Sequence, residues 1–195
     1  MIRVNAPEGI ALWQLELDGA IPLPCLSPDE QERANRFRFA RDRHRYVACR
    51  SALRILLADA LGVAPEAVAF TYGPQGKPAC TIPFNVSHSD GLALLALGAD
   101  GVDIERIRPG IDPEALGRSV FTATERAAIK TVEDFFFAWT AKEALIKAEG
   151  GGFSSPLLQR TVWPTLEPDL AERFQIARIT TESGFAAALA IRKVS

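Results

Sequence analysis

Two acidic residues, Asp103 and Glu105, flank Ile104 in the segment Gly-Val-Asp-Ile-Glu. Side chains two residues apart on a β-strand point to the same face of the sheet, so the two carboxylates are expected to project together. Adjacent anions repel unless a cation lies between them, and Mg²⁺ suits that role because it binds hard oxygen ligands and substrate phosphates. The pair therefore predicts either a magnesium site or a strand end that emerges into solvent.

Four further residues could act on a phosphate, and each is ambiguous by itself. Glu143 and Lys147 are one turn apart on one face of a predicted helix, which is also typical of a surface ion pair. His88 is one of two histidines, and a single histidine is more often structural than catalytic. Lys77 is one of five lysines and lies in a Gly-Lys-Pro turn. None of the four predicts a site without its neighbours.

The charged residues are unevenly distributed along the chain. The net charge is −2, yet the segment from Glu30 to Arg54 contains eight arginines and three acidic residues. Arginine binds phosphate through a planar set of donors, so this segment indicates a phosphate-bearing partner or, alternatively, a solvated helix face. A pI near 5.8 is far from that of a basic nucleic-acid-binding domain, so no nucleic-acid partner is predicted.

Length and composition indicate a soluble globular protein. The 195 residues suffice for one large domain or two small halves, and 48% hydrophobic with 24% charged residues excludes a disordered tail or a fibre. No apolar run approaches the ~20 residues that span a bilayer, so no membrane association is expected. The N-terminus has no evident signal peptide, and the three cysteines form no Cys-x-x-Cys pair. We therefore expect the protein to be cytoplasmic.

Three landmarks recur at similar offsets and predict an internal repeat. Capping-box patterns at Ser27 and Thr122 are 95 positions apart, and the glycines that end two long predicted helices, Gly62 and Gly150, are 88 apart. Two apolar strands, starting at residues 91 and 184, are 93 apart. Chance spacing of common motifs is the alternative. The repeat predicts two related α+β halves, residues 1–108 and 109–195, with a ligand cleft between them.

The order of the candidate motifs is far more specific than any one of them. Together they resemble the 4′-phosphopantetheinyl transferases of the Sfp type. This resemblance implies an α+β fold of two similar halves related by a pseudo-twofold axis, each a small antiparallel sheet packed on a long helix. The motifs that carry the resemblance are, in chain order, Gly76–Pro78, Phe84–Ser89, Gly101–Glu105, Phe121–Glu125 and Trp139–Gly150.

The resemblance also implies an activity and a set of site residues. The enzyme would move the phosphopantetheine arm of coenzyme A to a serine of an acyl, peptidyl or aryl carrier protein, with Mg²⁺ as cofactor and adenosine 3′,5′-bisphosphate as the other product. Carried over by position, the metal ligands are Asp103, Glu105 and Glu143. The coenzyme A contacts are His88 and Lys147 at the pyrophosphate, Lys77 with Ser87 and Arg45 at the 3′-phosphate, and Arg33 as a further basic contact.

The proposed mechanism assigns catalysis to Glu143 and Lys147. Phosphoryl transfer depends on positioning and on charge neutralisation, so Lys147 would offset charge on the pyrophosphate. Glu143, directly or through a metal-bound water, would take the proton of the carrier serine. Because both halves lie in one chain, the enzyme is expected to work as a monomer that resembles a dimer.

Two other classes of function compete with this reading. A magnesium-dependent phosphohydrolase acting on a nucleotide or on coenzyme A also needs clustered carboxylates, and would use water as the acceptor. A non-catalytic module could bind a nucleotide or nucleic acid through the segment from Arg33 to Arg54. The ordered motifs favour the transferase over both.

Overall fold

Two antiparallel sheets and two long helices make up most of the structure, a computed structural model that describes residues 1–21, 23–73, 76–152 and 155–193. The strands are β1 (Ile2–Val4), β2 (Ala11–Glu16), β3 (Thr71–Tyr72), β4 (Pro78–Ala79), β5 (Phe84–Ser89), β6 (Leu92–Leu97), β7 (Gly101–Arg106), β8 (Phe174–Arg178) and β9 (Phe185–Arg192). The α-helices are α1 (Pro28–Asn35), α2 (Ala40–Leu61), α3 (Pro113–Gly117), α4 (Ala123–Ala128), α5 (Val132–Ala148) and α6 (Pro168–Arg173).

The strand order shows the internal repeat directly. The first sheet has the order β1-β2-β6-β5 and the second has the order β7-β9-β8, with antiparallel neighbours throughout, while β3 and β4 pair only with each other. In each half a strand leads to a long helix and then to a hairpin whose second strand lies centrally in the sheet. The series β2, α2, β5, β6 therefore corresponds to β7, α5, β8, β9. The predicted α+β fold of two similar halves is confirmed.

The proposed division after residue 108 does not follow this pairing. Strand β7 precedes that boundary but pairs with β9, with Asp103 opposite Ala188 and Glu105 opposite Ala186. It occupies in the second sheet the position that β2 occupies in the first. The two acidic residues therefore belong to the second half, and we propose the boundary between β6 and β7.

The alternation of side chains along β6 explains how the layers pack. All six residues of Leu92–Leu97 are buried, because both faces of this strand are covered. Ala93, Leu95 and Leu97 pack with the α2 residues Leu53 and Leu57. The alternate residues of β6 pack with Ile104 and Leu189 of the second sheet. One face of the first sheet thus packs against residues of the second sheet, and α2 covers the other face.

Helix α5 approaches the second sheet closely because the residues beneath it are small. A Cβ atom added to Gly101 would lie 2.0 Å from the carbonyl oxygen of Ala144, so only glycine fits there. Ala188 and Ala190 of β9 pack with Ala144 in the core under the helix. Asp103 and Glu105 share the face of Gly101, since they are two and four residues further along β7. The close packing therefore brings α5 down onto the predicted acidic residues.

Candidate active site

The site lies where β5 of the first sheet runs beside β7 of the second. These edge strands are joined by side chains rather than by a backbone ladder. Asn85 accepts a hydrogen bond from the Val102 amide at 3.1 Å and donates one to the Asp100 carbonyl at 3.2 Å. Buried side chains thus hold the edges of the two halves together next to the acidic residues of β7.

Lys147 of α5 reaches across to β7 and neutralises Asp103. Its ammonium group donates to Asp103 Oδ1 at 2.7 Å, to Ser87 Oγ at 3.0 Å and to the Val102 carbonyl at 3.1 Å. The Ser87 hydroxyl donates to the same Asp103 oxygen at 2.8 Å. Burial raises the pKa of Asp103, while Lys147 and Ser87 lower it in opposition. The four groups form one compact polar network.

Three carboxylates converge beside this network. Burial raises the pKa of Glu143, and the charges of Asp103 and Glu105 raise it further. The pKa of Glu105 is also raised, mainly by burial, against a hydrogen bond from Ser89. Among the described residues, Asp103 Oδ2 and Glu143 Oε1 are buried without a hydrogen-bond partner. Mutual repulsion and unsatisfied oxygens are what a divalent cation would relieve.

The carboxylates are not already arranged as a coordination shell. Within the described ranges, no group of three or more His, Cys, Asp or Glu side chains is close enough to hold an ion as it stands. The donor set nevertheless fits a hard cation such as Mg²⁺, because it offers carboxylate oxygens, two of them free. These oxygens would have to come closer together to share one ion.

A pocket of about 690 Å³ opens next to the carboxylates. Phe37, Tyr46 and Phe84 contribute aromatic surface to its walls, and Asp42 and Asp90 are acidic residues of its lining. The basic side chains outnumber these acids, so the pocket attracts anions. Five of the predicted coenzyme A contacts line it, namely Arg33, Arg45, Lys77, His88 and Lys147.

Lys77 and His88 are held close to the charge of Lys147. Lys77 Nζ donates to the Lys147 carbonyl at 3.3 Å. The pKa of Lys77 and the pKa of His88 are both lowered, first by desolvation and then by the Lys147 ammonium. The Lys147 ammonium group thus disfavours a positive charge on Lys77 and on His88. A phosphate bound between these groups would offset that repulsion.

Two of the arginines that line the pocket are already engaged with other side chains. Arg45 forms a two-pronged ion pair with Asp18, with Nε and Nη2 each 2.6 Å from a carboxylate oxygen. Gly91 leaves room for this pair, because a Cβ atom there would lie 2.8 Å from Asp18 Oδ2. Arg33 lies over the ring of Tyr46, 5.6 Å from its centre.

The contacts of Ser87 and of two residues in the arginine-rich segment were not evident from the sequence. Ser87 is not among the residues lining the pocket; its hydroxyl bridges Lys147 and Asp103 instead. Arg54 belongs to the arginine-rich segment but is buried, with Nε donating to Glu30 at 2.6 Å. Arg50 also contacts Glu30, at 3.5 Å, so these two arginines balance a buried acid. The capping-box pattern located Glu30 at a helix start, but its burial depends on contacts distant in sequence.

Two residues of the predicted motifs make contacts that the sequence analysis did not assign. Ser89 donates to Glu105, and Asn85 joins the two sheets. Their spacing with Ser87 at alternate positions of one strand was a readable signal, because it places three polar side chains on one face of β5. The sequence alone did not show which face of β5 would meet the second sheet.

Each half of the chain matches a known protein family. Residues 16–99 match the family described as 4′-phosphopantetheinyl transferase, N-terminal, and residues 100–189 match the 4′-phosphopantetheinyl transferase superfamily. The junction between the two matches coincides with the junction between the two sheets.

Individual relatives extend this similarity over most of the chain. The 4′-phosphopantetheinyl transferase HetI of Nostoc is 37% identical over 168 residues, which cover 75% of this chain and 71% of HetI. AcpT of Escherichia coli K12 is 37% identical over 155 residues, 73% of each chain. The 4′-phosphopantetheinyl transferase of Bacillus subtilis is 30% identical over 148 residues, 69% of this chain and 65% of the relative.

The fold and the site define an α+β enzyme of two similar halves, with an acidic cluster beside an anion-attracting pocket. The chain belongs to the 4′-phosphopantetheinyl transferase superfamily. It is therefore an enzyme of the phosphopantetheinyl-transfer class, and the comparisons support neither a phosphohydrolase nor a non-catalytic binding module. Among the helices described, none is both long enough and apolar enough to cross a membrane.

Proposed function

We propose that this chain transfers the 4′-phosphopantetheine arm of coenzyme A to a serine hydroxyl of a carrier protein and releases adenosine 3′,5′-bisphosphate. The observation that carries the proposal is the convergence of Asp103 and Glu105 with Glu143 and Lys147 beside the pocket of about 690 Å³. Acidic groups for a cation and basic groups for phosphates are both needed by a transferase that acts on a pyrophosphate.

Binding of coenzyme A rests on the basic side chains of the pocket. Lys77 and Arg45 would hold the 3′-phosphate, for which Arg45 has one terminal nitrogen outside its contact with Asp18. Arg33 would be a further basic contact to coenzyme A. His88 and Lys147 would contact the pyrophosphate. Charge-assisted hydrogen bonds of this kind are the strong ones in phosphate recognition, so these residues would fix the donor in one orientation.

Mg²⁺ is proposed as the cofactor, held by Asp103, Glu105 and Glu143. The support is the pair of unsatisfied buried oxygens on Asp103 and Glu143, together with the raised pKa values of all three carboxylates. When bound, the ion would offset negative charge on the pyrophosphate. The remaining Asp103 oxygen would keep its contact with Lys147, which holds the carboxylate in place.

Glu143 is proposed as the general base, acting directly or through a bound water. The serine oxygen forms a bond to the phosphorus that carries the pantetheine arm, and the bond from that phosphorus to the oxygen of the leaving bisphosphate breaks. The serine proton passes to Glu143, directly or through that water. The Lys147 ammonium group balances charge beside the reacting groups.

A monomeric, cytoplasmic enzyme is also proposed. The Lys147–Asp103 ion pair and the bridges between β5 and β7 all form within one chain, so a second copy is not needed to complete the site.

Intact-mass spectrometry of candidate carrier proteins tests the function. Carriers of the fatty-acid, polyketide and nonribosomal-peptide types are incubated with the chain, coenzyme A and Mg²⁺. One carrier is expected to gain the mass of one phosphopantetheine arm, with one equivalent of adenosine 3′,5′-bisphosphate released. The same carrier with its serine replaced by alanine should stay unchanged.

Matched variants and a clear contrary outcome complete this test. Asp103→Ala is expected to abolish the mass gain, while Asp59→Ala, at an exposed position of α2, should transfer normally. Consumption of coenzyme A with no change in any carrier mass would point to hydrolysis and would overturn the proposal.

A further inference from the structure

The Ser89 hydroxyl contacts both the backbone and an acidic side chain of β7. Ser89 is the last residue of β5 and is buried, with 7% of its surface exposed. Its oxygen accepts a hydrogen bond from the Arg106 amide at 3.1 Å. The same hydroxyl donates to Glu105 Oε2 at 2.7 Å. Ser89 therefore lies between the end of β7 and the carboxylate that projects from it.

The first of these hydrogen bonds orients the second. A serine hydroxyl has one proton to donate and lone pairs that accept. Because the Arg106 amide occupies an accepting position, the hydroxyl proton is free to point at Glu105 Oε2. The carboxylate is thus tied to backbone that is itself fixed by pairing between β7 and β9.

Glu105 has little else to hold it. In the described parts of the chain its side chain takes part in no ion pair, whereas Asp103 is bound by both Lys147 and Ser87. A glutamate side chain has several rotatable bonds, and fixing it costs conformational entropy. A donor anchored to the neighbouring sheet reduces that cost at the moment of ligand binding.

We propose that Ser89 is a positioning residue that presents the Glu105 carboxylate to the metal of the transfer reaction. The inference rests on the proposed function for the identity of that metal. Ser89 occupies one oxygen of Glu105 and leaves the other available. It acts through Glu105 and touches neither coenzyme A nor the carrier serine.

A positioning role for Ser89 predicts by how much its loss should weaken the affinity for Mg²⁺. Loss of a group that orients a metal ligand typically weakens metal affinity by about 10–100-fold. Ser89→Ala should therefore raise the dissociation constant for Mg²⁺ by that factor. The affinity for coenzyme A measured without metal should change little, because Ser89 is not among the residues that line the pocket.

Calorimetric titration of Mg²⁺ into the full chain, with and without coenzyme A, tests the role without depending on turnover. Ser89→Ala is compared with Ser89→Thr, which keeps the hydroxyl and should recover most of the Mg²⁺ affinity. Ser51→Ala is the matched control, because Ser51 is also buried and its hydroxyl accepts from the Cys25 amide at 3.2 Å, away from β7. It should lower stability without changing the Mg²⁺ affinity.

The outcomes separate this inference from the proposed function. Mg²⁺ affinity of Ser89→Ala equal to that of the wild type would overturn the positioning role, even if the wild type transfers normally. If Ser89→Ala does not fold, Ser89→Cys replaces it, since a thiol is a weak donor and should also bind Mg²⁺ more weakly. A wild type that binds Mg²⁺ but modifies no carrier would contradict the proposed function, and the calorimetric comparison would still decide the role of Ser89.

Discussion

Lys142 and Glu125 form an ion pair that is completely closed off from solvent. Lys142 Nζ lies 2.6 Å from Glu125 Oε2, and both side chains are 0% exposed. The lysine also donates to the carbonyls of Val120 and Leu158, each at 3.0 Å. All three donors of the ammonium group are therefore satisfied, which is the condition under which a buried charge is tolerated.

The first half contains the same relationship between Arg54 and Glu30. Their closest atoms are also 2.6 Å apart, and the arginine donates further to the carbonyls of Pro65 and Val68. In both halves the acid is the third residue of a helix that begins with a capping box, and the base lies on the following long helix. The internal repeat thus extends to its buried charges.

Removal of one partner of the Lys142–Glu125 pair should be strongly destabilising. Lys142→Met leaves the Glu125 charge buried without its cation, and such a change typically costs about 3–5 kcal/mol of unfolding free energy. Equilibrium denaturation measures this loss. The double variant Lys142→Met with Glu125→Gln should recover part of it, because no unpaired charge remains. Lys130→Met, at an exposed position, is the control, and a loss for Lys142→Met no larger than for this control would contradict the prediction.

Gly101→Ala should disturb both stability and the site. The added methyl group would lie 2.0 Å from the Ala144 carbonyl oxygen, so α5 must move away from β7. Overpacking of this kind typically costs about 1–3 kcal/mol. Denaturation curves report the stability, and the transfer rate reports displacement of Glu143 and Lys147.

Gly19→Ala provides the comparison for this prediction. The nearest atom to a Cβ there is the Glu16 carbonyl oxygen at 3.8 Å, an ordinary contact. Equal stability of the two alanine variants would show that the close approach of α5 to β7 is not needed.

Local sequence patterns predicted the helices and strands, but they did not predict the contacts between segments distant in sequence. The capping boxes at Ser27 and Thr122 and the glycine at 62 mark helix ends through neighbouring residues, so they were readable. The pairing of β7 with β9 joins segments about 80 residues apart, and local chemistry carries no signal for it. The boundary after residue 108 was drawn without knowledge of that pairing.

The site was predictable in part for the same physical reason. Asp103 and Glu105 are two apart on a strand, and Glu143 and Lys147 are one turn apart on a helix, so each pair could be identified from its spacing. Arg54 looked like the exposed arginines around it, because charged helix residues are usually solvated. Arg54 differs from those arginines only because the fold places Glu30 beside it.

The chain should remain a single copy in solution when active. Multi-angle light scattering of the purified protein is expected to give the mass of one chain, and specific activity should be unchanged on dilution. The physical reason is that Asp103 and Lys147, from the strand and helix that form the site, meet within one chain. An obligate trimer that loses activity on dilution would contradict this prediction.

Lys77→Ala should weaken binding of coenzyme A far more than binding of dephospho-coenzyme A, because only the former has the 3′-phosphate. A hydrogen bond to a charged group is typically worth about 1.5–3 kcal/mol, so a loss of about ten- to hundredfold is expected for coenzyme A. Calorimetry with both ligands measures the difference. Lys130→Ala, at an exposed position away from the pocket, should bind both normally. Equal losses for the two ligands would remove Lys77 from contact with the 3′-phosphate.

Glu143→Gln separates proton transfer from ligand binding. The amide keeps one oxygen for a metal but cannot take a proton. The affinities for coenzyme A and Mg²⁺ should therefore stay close to those of the wild type, while the transfer rate falls sharply. Loss of a general base typically costs about 10²–10⁴-fold, and single-turnover transfer at saturating coenzyme A measures it. Glu133→Gln, in the exposed first turn of the same helix, should transfer at the wild-type rate. If Glu143→Gln also transfers at that rate, Glu143 is neither the base nor an essential ligand, and the proton of the carrier serine must leave by another route.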